Sequence, residues 1–279
     1  MTKEGIDPGT RLLNVQGIDI YIDGEGSHTL VMIHGWPNTY RLWDSTAQAL
    51  KGQYRCVRFT LPGFDLAQPT RATSLAQMTQ LFSAIVDAVS PGQPVTLLLH
   101  DWGCIFGYEF AARHPQRVAR IVGVDVGDYN SGAYMRSLSL KAKALAFAYQ
   151  FWLAVSWKVG GALGNRMTRW MARTVGSRVD SSLIGWQMNY PYAMVWFGLL
   201  GGFRSAANVA HECPMLFIYG ENKPFMFHSE QWIAKLAARP GCVVQPFRTG
   251  HWVMLQQPEA FSKCVGEWLA LKSAQNLAD

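Results

Sequence analysis

The stretch Val95–Gly103, VTLLLHDWG, contains a short run of β-branched and leucine residues that stops abruptly at a carboxylate. A continuous apolar run of this length is typical of a strand buried on both faces of a sheet. A helical pattern begins directly after it, at Ile105–Arg113. The sequence therefore predicts a strand that turns at once into a helix, with Asp101 at the turn. An aspartate there is either the N-cap of the helix or a nucleophile at the apex of a sharp turn, and this stretch alone leaves both interpretations open.

Short apolar runs alternate with helical patterns along most of the chain. The first two runs are divided by Gln16-Gly17 and predict an antiparallel hairpin. The later runs are separated by helical segments, which is the pattern of parallel strands joined by crossover helices. The whole predicts an α/β protein with a mostly parallel eight-stranded sheet flanked by helices. The expected strands are Arg11–Val15, Ile18–Ile22, Thr29–Ile33, Tyr54–Thr60, Val95–Leu99, Arg120–Val126, Met215–Tyr219 and Val243–Phe247.

The alternation stops between about Tyr129 and Val209. This part of the chain is rich in Trp, Met, Tyr and Arg, and it shows helical patterns but no clear strand. It predicts a helical lid, or cap, inserted into the sheet domain. The expected division is a core of residues 1–129 and 209–279 and a cap of residues 130–208.

Composition excludes several classes of protein. Hydrophobic residues make up 49% of the chain and charged residues 16%, so the chain is not a disordered one. The five cysteines are scattered, without a CxxC pair or a Cys/His metal spacing, so we expect reduced thiols and no metal site. Reduced thiols suit a cytoplasmic protein, and residues 1–10 lack the apolar core of a signal peptide. The longest apolar run, Ala144–Trp157, is too short to span a bilayer.

The charge and the loops bear on possible partners. A formal net charge of +6 favours a solvated basic face over attraction to anionic surfaces. The chain has no nucleic-acid-binding motif and no Gly-rich phosphate loop, so we expect neither a nucleic acid nor an organic cofactor. Both a monomer and a homodimer remain open.

Three short motifs lie where predicted strands end. HGWP follows the third strand at His34–Pro37, HDWG ends the fifth at His100–Gly103, and Gly250-His251-Trp252 follows the last. Together with the helical insertion, their order resembles the α/β-hydrolase fold, and within it the branch of epoxide hydrolases and haloalkane dehalogenases, where Asp replaces the Ser of esterases. The resemblance covers nearly the whole chain. It implies that Asp101 is the nucleophile and His251 its base, at the sheet edge where open α/β folds bind ligands.

Two positions depart from the family pattern. The residue two before the nucleophile, which is usually small, is Leu99. The triad acid usually follows the strand after the cap, but Lys223 stands there. Some dehalogenases carry the acid after the strand before the cap, and Asp128, at the end of RIVGVDVGD, matches that arrangement, with Glu221 as the alternative. Asp125 is expected to lie inside the strand and to point elsewhere.

A carboxylate nucleophile implies a chemistry different from that of serine. It is ionised at neutral pH and can attack a saturated carbon, which forms an ester between its side chain and the substrate. His251, oriented by the triad acid, then activates a water that attacks the carboxyl carbon of Asp101. The backbone N–H groups of Trp36 and Trp102 are the expected donors to the oxyanion that forms.

The leaving group distinguishes the two enzyme classes. An epoxide oxygen needs an acid, which two cap tyrosines supply in epoxide hydrolases. Tyr149 resembles the first, and Tyr190 or Tyr192 resembles the second, although each could equally be a packing residue. Halide release instead uses indole N–H groups, and Trp102 is common to both classes. The HGWP form favours an epoxide hydrolase, with a haloalkane dehalogenase as the alternative and a ligand-binding protein on the same scaffold as a less favoured one.

The cap is expected to determine the substrate. Its aromatic and methionine side chains predict a hydrophobic pocket for a small apolar epoxide, although any single one could pack the cap against the core. The expected pocket residues are His34, Pro37, Phe151, Trp152, Met188 and Trp252.

Overall fold

The computed structural model describes residues 9–207 and 212–275. Its strands are β1 (Arg11–Val15), β2 (Ile18–Asp23), β3 (Thr29–Ile33), β4 (Arg55–Phe59), β5 (Val95–His100), β6 (Val118–Val124), β7 (Met215–Gly220) and β8 (Val243–Phe247). They form one sheet in the order β1-β2-β4-β3-β5-β6-β7-β8. The pairs β1/β2 and β2/β4 are antiparallel and all others are parallel. The predicted eight-stranded, mostly parallel sheet is confirmed.

Helices flank the sheet and fill the long connection between β6 and β7. Within the described ranges they are α1 (Asp44–Leu50), α2 (Leu75–Val89), α3 (Trp102–Arg113), α4 (Gly132–Ser137), α5 (Leu140–Val159), α6 (Gly161–Thr174), α7 (Tyr190–Phe197), α8 (Glu230–Ala237), α9 (Val253–Gln256) and α10 (Pro258–Gln275). None of them is both long and apolar enough to cross a bilayer.

Strand β5 is buried at every position because helices cover both faces of the sheet. Leu97 and Leu99 point into a core that also contains residues of α2 and α3. Leu98, between them, points into a second core with residues of α1 and α10. The alternation of side chains along a strand thus explains why the whole run had to be apolar.

The turn from β5 into α3 brings the nucleophile candidate to the end of the sheet. Asp101 has φ 54° and ψ −122°, a conformation that costs a non-glycine residue free energy and is characteristic of functional turns. Gly103 permits the close approach of α3, because a β-carbon there would lie 2.3 Å from the carbonyl oxygen of Ile33. Gly107 makes room for Leu99 in the same way, since its β-carbon would lie 2.5 Å from the leucine side chain. The absence of a side chain on α3 therefore accommodates the large residue before the turn.

Between β6 and β7 the described residues form helices and turns without a named strand. We call residues 130–207 the cap; α5 is its longest helix and packs against α6 and α7. The division into a core (1–129 and 209–279) and a cap domain (130–208) stays a prediction, and its second boundary lies outside the described residues.

Candidate active site

Asp101 lies where two loops offer backbone donors to its carboxylate. The backbone N–H of Trp36 donates to Oδ1 at 2.7 Å, and the N–H of Trp102 also points at the carboxylate. Gly35 is required for this approach, because a β-carbon there would lie 2.2 Å from Oδ1. Both residues predicted as oxyanion donors are therefore at the nucleophile candidate. Asp101 does not accept the hydrogen bond from the second or third residue of α3 that defines an N-cap side chain, which argues against the N-cap interpretation.

The imidazole of His251 lies between two carboxylates. Its Nε2 is 3.5 Å from Oδ2 of Asp101, and its Nδ1 is hydrogen-bonded to Oδ2 of Asp125. His100 fixes the loop that carries His251, because its Nε2–H donates to the carbonyl oxygen of His251 at 3.1 Å. Burial lowers the pKa of His100 to about 3, so this second histidine is neutral and serves as a fixed donor.

The prediction that Asp128 pairs with His251 is wrong. Strand β6 ends at Val124, two residues earlier than predicted, and Asp125 takes φ 74° directly after it. This left-handed residue turns the Asp125 side chain toward His251 and away from the strand pattern. Glu221, the alternative acid, is exposed and is not among the hydrogen-bond partners of His251 in the described structure.

Asp128 instead joins two helix starts. Its carboxylate accepts from the backbone N–H and the hydroxyl of Ser229, both at 2.7 Å, and from the hydroxyl of Ser131. Ser229 caps α8 in the core and Ser131 caps α4, the first helix of the cap. The buried Asp128 therefore ties the beginning of the cap to the core.

Lys223 is a residue of the site that sequence reasoning passed over. Its ammonium group pairs with Oδ1 of Asp125, and its side chain is only 5% exposed. The backbone N–H of Gly220 donates to the same oxygen at 3.0 Å. The signal was present in the sequence, because a lysine stood where the family carries an acid. That lysine implies a carboxylate opposite it, supplied from another strand.

These charges determine the protonation of the site. Burial disfavours the imidazolium, but the carboxylates of Asp125 and Asp101 raise the pKa of His251 to about 9. Burial likewise opposes ionisation of Asp101, yet the hydrogen bond from His251 lowers the pKa of this carboxyl. The pKa of Asp125 is held well below its usual range by Lys223 and His251 despite its burial. The resting site at neutral pH is thus an Asp101 carboxylate beside a protonated His251.

Two of the three candidate tyrosines come together above the nucleophile. The rings of Tyr149 and Tyr192 are 5.9 Å apart, and their hydroxyls are hydrogen-bonded to each other. Burial, and the negative charge of Asp101 nearby, raise the pKa of both hydroxyls. Tyr190 faces elsewhere, with its ring 6.1 Å from that of Phe64 and its buried hydroxyl without a hydrogen-bond partner in the described structure. The geometry therefore pairs Tyr149 with Tyr192.

The indole N–H groups near the nucleophile have partners within the protein. Trp36 donates to Oδ1 of Asn189 at 2.9 Å, and Asn189 in turn donates to Thr168 at 2.7 Å. The indole of Trp102 is hydrogen-bonded to the hydroxyl of Tyr192. Asn189 was not among the predicted site residues, although it directly precedes the two tyrosines in the sequence.

Two predicted pocket residues lie on the outer surface of the cap. Phe151 is 39% exposed, because a shift of two positions from Tyr149 turns a helical side chain by about 200°. Trp152 is 36% exposed, packs on Trp170 of α6 and donates its indole N–H to Met167. The prediction that they line the pocket is wrong, because an apolar residue on α5 can face outward.

The other predicted pocket residues are buried, and each contacts a different part of the protein. His34 uses both ring nitrogens, since Nδ1–H donates to the carbonyl oxygen of Gly35 and Nε2 accepts from Leu61. Burial lowers its pKa to about 4, so it is a neutral brace for the loop that carries Trp36. The remaining three are Pro37 after a cis peptide bond in that loop, Met188 in the core shared with the cap, and Trp252 in the core on the opposite face of the sheet.

Parts of the chain are similar in sequence to enzymes of known class. The chain is 35% identical over 111 residues to a haloalkane dehalogenase of Mycolicibacterium smegmatis and 28% identical over 125 residues to epoxide hydrolase B of Mycobacterium tuberculosis. These matches cover 38% and 42% of the chain, and 35% of the length of each relative. The match to another mycobacterial relative covers 17% of that protein.

The fold agrees over a greater length. An inhibitor complex of Bacillus megaterium epoxide hydrolase superimposes with a TM-score of 0.66 at 17% identity, covering 93% of this chain and 100% of that one. The sequence profile of the alpha/beta hydrolase family matches residues 30–263. The chain belongs to the alpha/beta hydrolase family, and it is similar there to epoxide hydrolases and haloalkane dehalogenases.

Proposed function

We propose that the protein is an epoxide hydrolase that converts an apolar epoxide to a vicinal diol through an ester on Asp101. The observation that carries the proposal is the pair of hydroxyls of Tyr149 and Tyr192 beside the nucleophile. Their raised pKa keeps both protonated at neutral pH, so they can donate a hydrogen bond and then a proton to an epoxide oxygen.

In the first step, Oδ2 of Asp101 attacks a ring carbon of the epoxide. The carbon–oxygen bond of the ring breaks, and its oxygen takes a proton from the tyrosine pair. Oδ2 is the suitable nucleophile because Oδ1 is held by the N–H of Trp36, while Oδ2 faces His251. The Asp101 conformation at the turn exposes this oxygen in a buried, low-dielectric site.

Esterification changes the charge around His251. The negative charge of Asp101 disappears, so one of the two carboxylates that raise the pKa of His251 is lost. The imidazolium then gives its proton to the tyrosinate left by the first step, and the neutral imidazole takes one from a water that attacks the ester carbonyl. The N–H groups of Trp36 and Trp102 stabilise the oxyanion on Oδ1. The tetrahedral intermediate collapses, the second proton of the attacking water passes to the departing alkoxide, and the diol leaves with Asp101 again a carboxylate, His251 again protonated and the tyrosine hydroxyl already restored.

A haloalkane dehalogenase is the second candidate. It is favoured by the position of Asp125 after β6, the strand before the cap, because some dehalogenases carry their acid there. It is disfavoured by the indole groups, since Trp36 donates to Asn189 and Trp102 to Tyr192. A halide would have to displace these partners to be bound.

Removal of the two hydroxyls tests the epoxide proposal. In Y149F/Y192F the rate of ester formation with an aryl epoxide is expected to fall about 10³-fold, the range typical of general acid catalysis. Stopped-flow tryptophan fluorescence under single-turnover conditions measures this rate. Y190F is the matched control and should retain full activity, because the Tyr190 hydroxyl has no described partner. Halide release from bromoalkanes, with no diol from any epoxide of a broad panel, would instead identify a dehalogenase.

Replacement of Lys223 tests the charge balance of the triad. The ammonium group offsets the charge of Asp125, so K223M leaves a stronger negative field at Nδ1 of His251 and raises its pKa. Because the base must be neutral, the pH at which ester hydrolysis reaches half its maximal rate is expected to rise by about one unit. Rapid-quench measurement of ester decay against pH gives this value. K223R keeps the charge and should stay near the parent profile; a K223M profile that is unshifted or shifted to lower pH contradicts the role.

A further inference from the structure

The outward face of α5 is apolar where a helix facing water is normally polar. Leu140 is 85% exposed and Phe147 is 52% exposed. The exposed residues of this helix are Leu140, Lys141, Ala144, Leu145, Phe147, Ala148, Phe151, Trp152, Lys158 and Val159. Eight of these ten are apolar and the other two are lysines, and α5 contains no acidic residue. Such a face lacks a partner within the described chain.

Neighbouring side chains extend this face across α7. The ring of Phe151 lies 5.5 Å from that of Phe147, and Trp196 contacts both at 5.6 and 4.8 Å. Phe197 adjoins Phe151 at 6.3 Å, and the ammonium group of Lys158 lies 5.5 Å from the Phe197 ring centre. We call the face formed by these five residues and Leu140 the cap outer face. Its five residues other than Leu140 are in continuous contact, whereas exposed apolar residues on most proteins are scattered.

The positive charge of the protein is concentrated in the same part of the chain. Residues 130–208 contain nine Lys or Arg and a single acid, Asp180. The rest of the chain has 16 basic and 18 acidic residues, so without the cap segment the chain would be slightly acidic. The exposed apolar face and the excess of basic residues therefore belong to one segment.

We propose that the cap outer face docks on the surface of an anionic phospholipid membrane. Exposed aromatic and leucine side chains flanked by lysines are the combination that partitions into the headgroup region of such a surface. A second copy of the chain fits less well, because two strongly basic caps would repel each other. Nucleic acid also fits less well, since its phosphates offer nothing to the exposed leucine and valine side chains. α5 lies on the membrane in this arrangement, in keeping with its inability to span one.

The proposal goes beyond the hydrolase activity and does not depend on it. Tyr149 lies on the inner side of α5 and the cap outer face on the opposite side, so a docked cap keeps its catalytic face toward the core. Membrane binding can therefore be measured with no substrate present, and it can fail or succeed whichever reaction the site performs.

Vesicle flotation of the full-length protein tests the proposal. Vesicles of phosphatidylcholine with one third phosphatidylglycerol are expected to bind the protein at least tenfold more tightly than vesicles of phosphatidylcholine alone, because each lysine at the surface contributes about fivefold. The preference should disappear in high salt. Equal affinity for the two vesicle types, or no binding to either, overturns the proposal.

Two double variants locate the binding surface. F147E/F151E and K141E/K158E should each lower affinity for the anionic vesicles at least tenfold, with unchanged melting temperature. L271E/K263E on α10 is the matched control, since Leu271 is 70% exposed and the Lys263 side chain 75% exposed on the core, and it should bind like the parent. Unaltered binding by both cap variants refutes the assignment. So does a stable dimer that F147E/F151E abolishes, or equally tight binding of a DNA duplex at the same salt concentration.

Discussion

Replacing His251 with glutamine is expected to halt the reaction at the ester. The backbone N–H groups of Trp36 and Trp102 still point at the Asp101 carboxylate in this variant, so it can still attack the substrate, but no base remains to activate water. Multiple turnover should fall about 10⁴-fold, the upper range for loss of a general base, while the first half of the reaction proceeds. Intact-protein mass spectrometry of H251Q mixed with an epoxide should show a mass increase equal to that of the whole substrate. A haloalkane would instead add the substrate mass less hydrogen halide.

The adduct must be located to be informative. Peptide mapping should place it on the peptide that contains Asp101, and D101N/H251Q, the matched control, should form none. An adduct on another residue would remove Asp101 from the mechanism. An H251Q variant that turns over at the parent rate would show that His251 is not the base.

Asp125 and Asp128 are close in sequence but are expected to respond in opposite ways to the same substitution. D125N should lower ester hydrolysis about 10⁴-fold, because an amide at Nδ1 favours the wrong imidazole tautomer. It also leaves the Lys223 ammonium buried without its carboxylate. D128N should leave the rate constants nearly unchanged and lower the free energy of unfolding by about 2 kcal/mol, because it weakens charge-assisted hydrogen bonds to Ser229 and Ser131.

The two effects separate by experiment. Single-turnover kinetics on the folded fraction of each variant gives the chemical rate, and urea titration followed by far-UV circular dichroism gives the stability. A D128N variant that folds stably and is inactive would return the catalytic role to Asp128. A D125N variant with parent rates would show that the contact of Asp125 with His251 is structural alone.

The predictable part of the site lay at the ends of strands. Asp101 follows a strand with a clear apolar run and His251 follows the last predicted strand, so the parallel order of the sheet places them at one edge. The role of Asp125 was missed because β6 ends just before it and Asp125 itself takes a left-handed conformation. Hydrophobic periodicity does not show at which residue a strand turns. Lys223 carried the missing information, because a buried ammonium group needs a carboxylate nearby.

The cap was less predictable for a different reason. A helix that is apolar on all sides gives no indication of which side faces inward, so Phe151 was assigned to the pocket although only Tyr149 points there. The choice between Tyr190 and Tyr192 depended on how the chain turns at Pro191, which lies in the first turn of α7. Hydrophobic patterning identifies the inner side of a helix only when its water-facing side is polar. The water-facing side of α5 is apolar.

The contact between Leu99 and Gly107 restricts the order in which this pair can change. A leucine at 99 overlaps any β-carbon at 107, because the ideal separation would be 2.5 Å. With glycine already at 107, the residue at 99 can be small or large, so growth of the strand residue is permitted. If leucine appears at 99 while a larger residue than glycine is still at 107, the two side chains overlap in the same volume. Any residue larger than glycine at 107 therefore requires the Leu99 side chain to move, so a large residue at 99 is accommodated most easily when glycine already stands at 107.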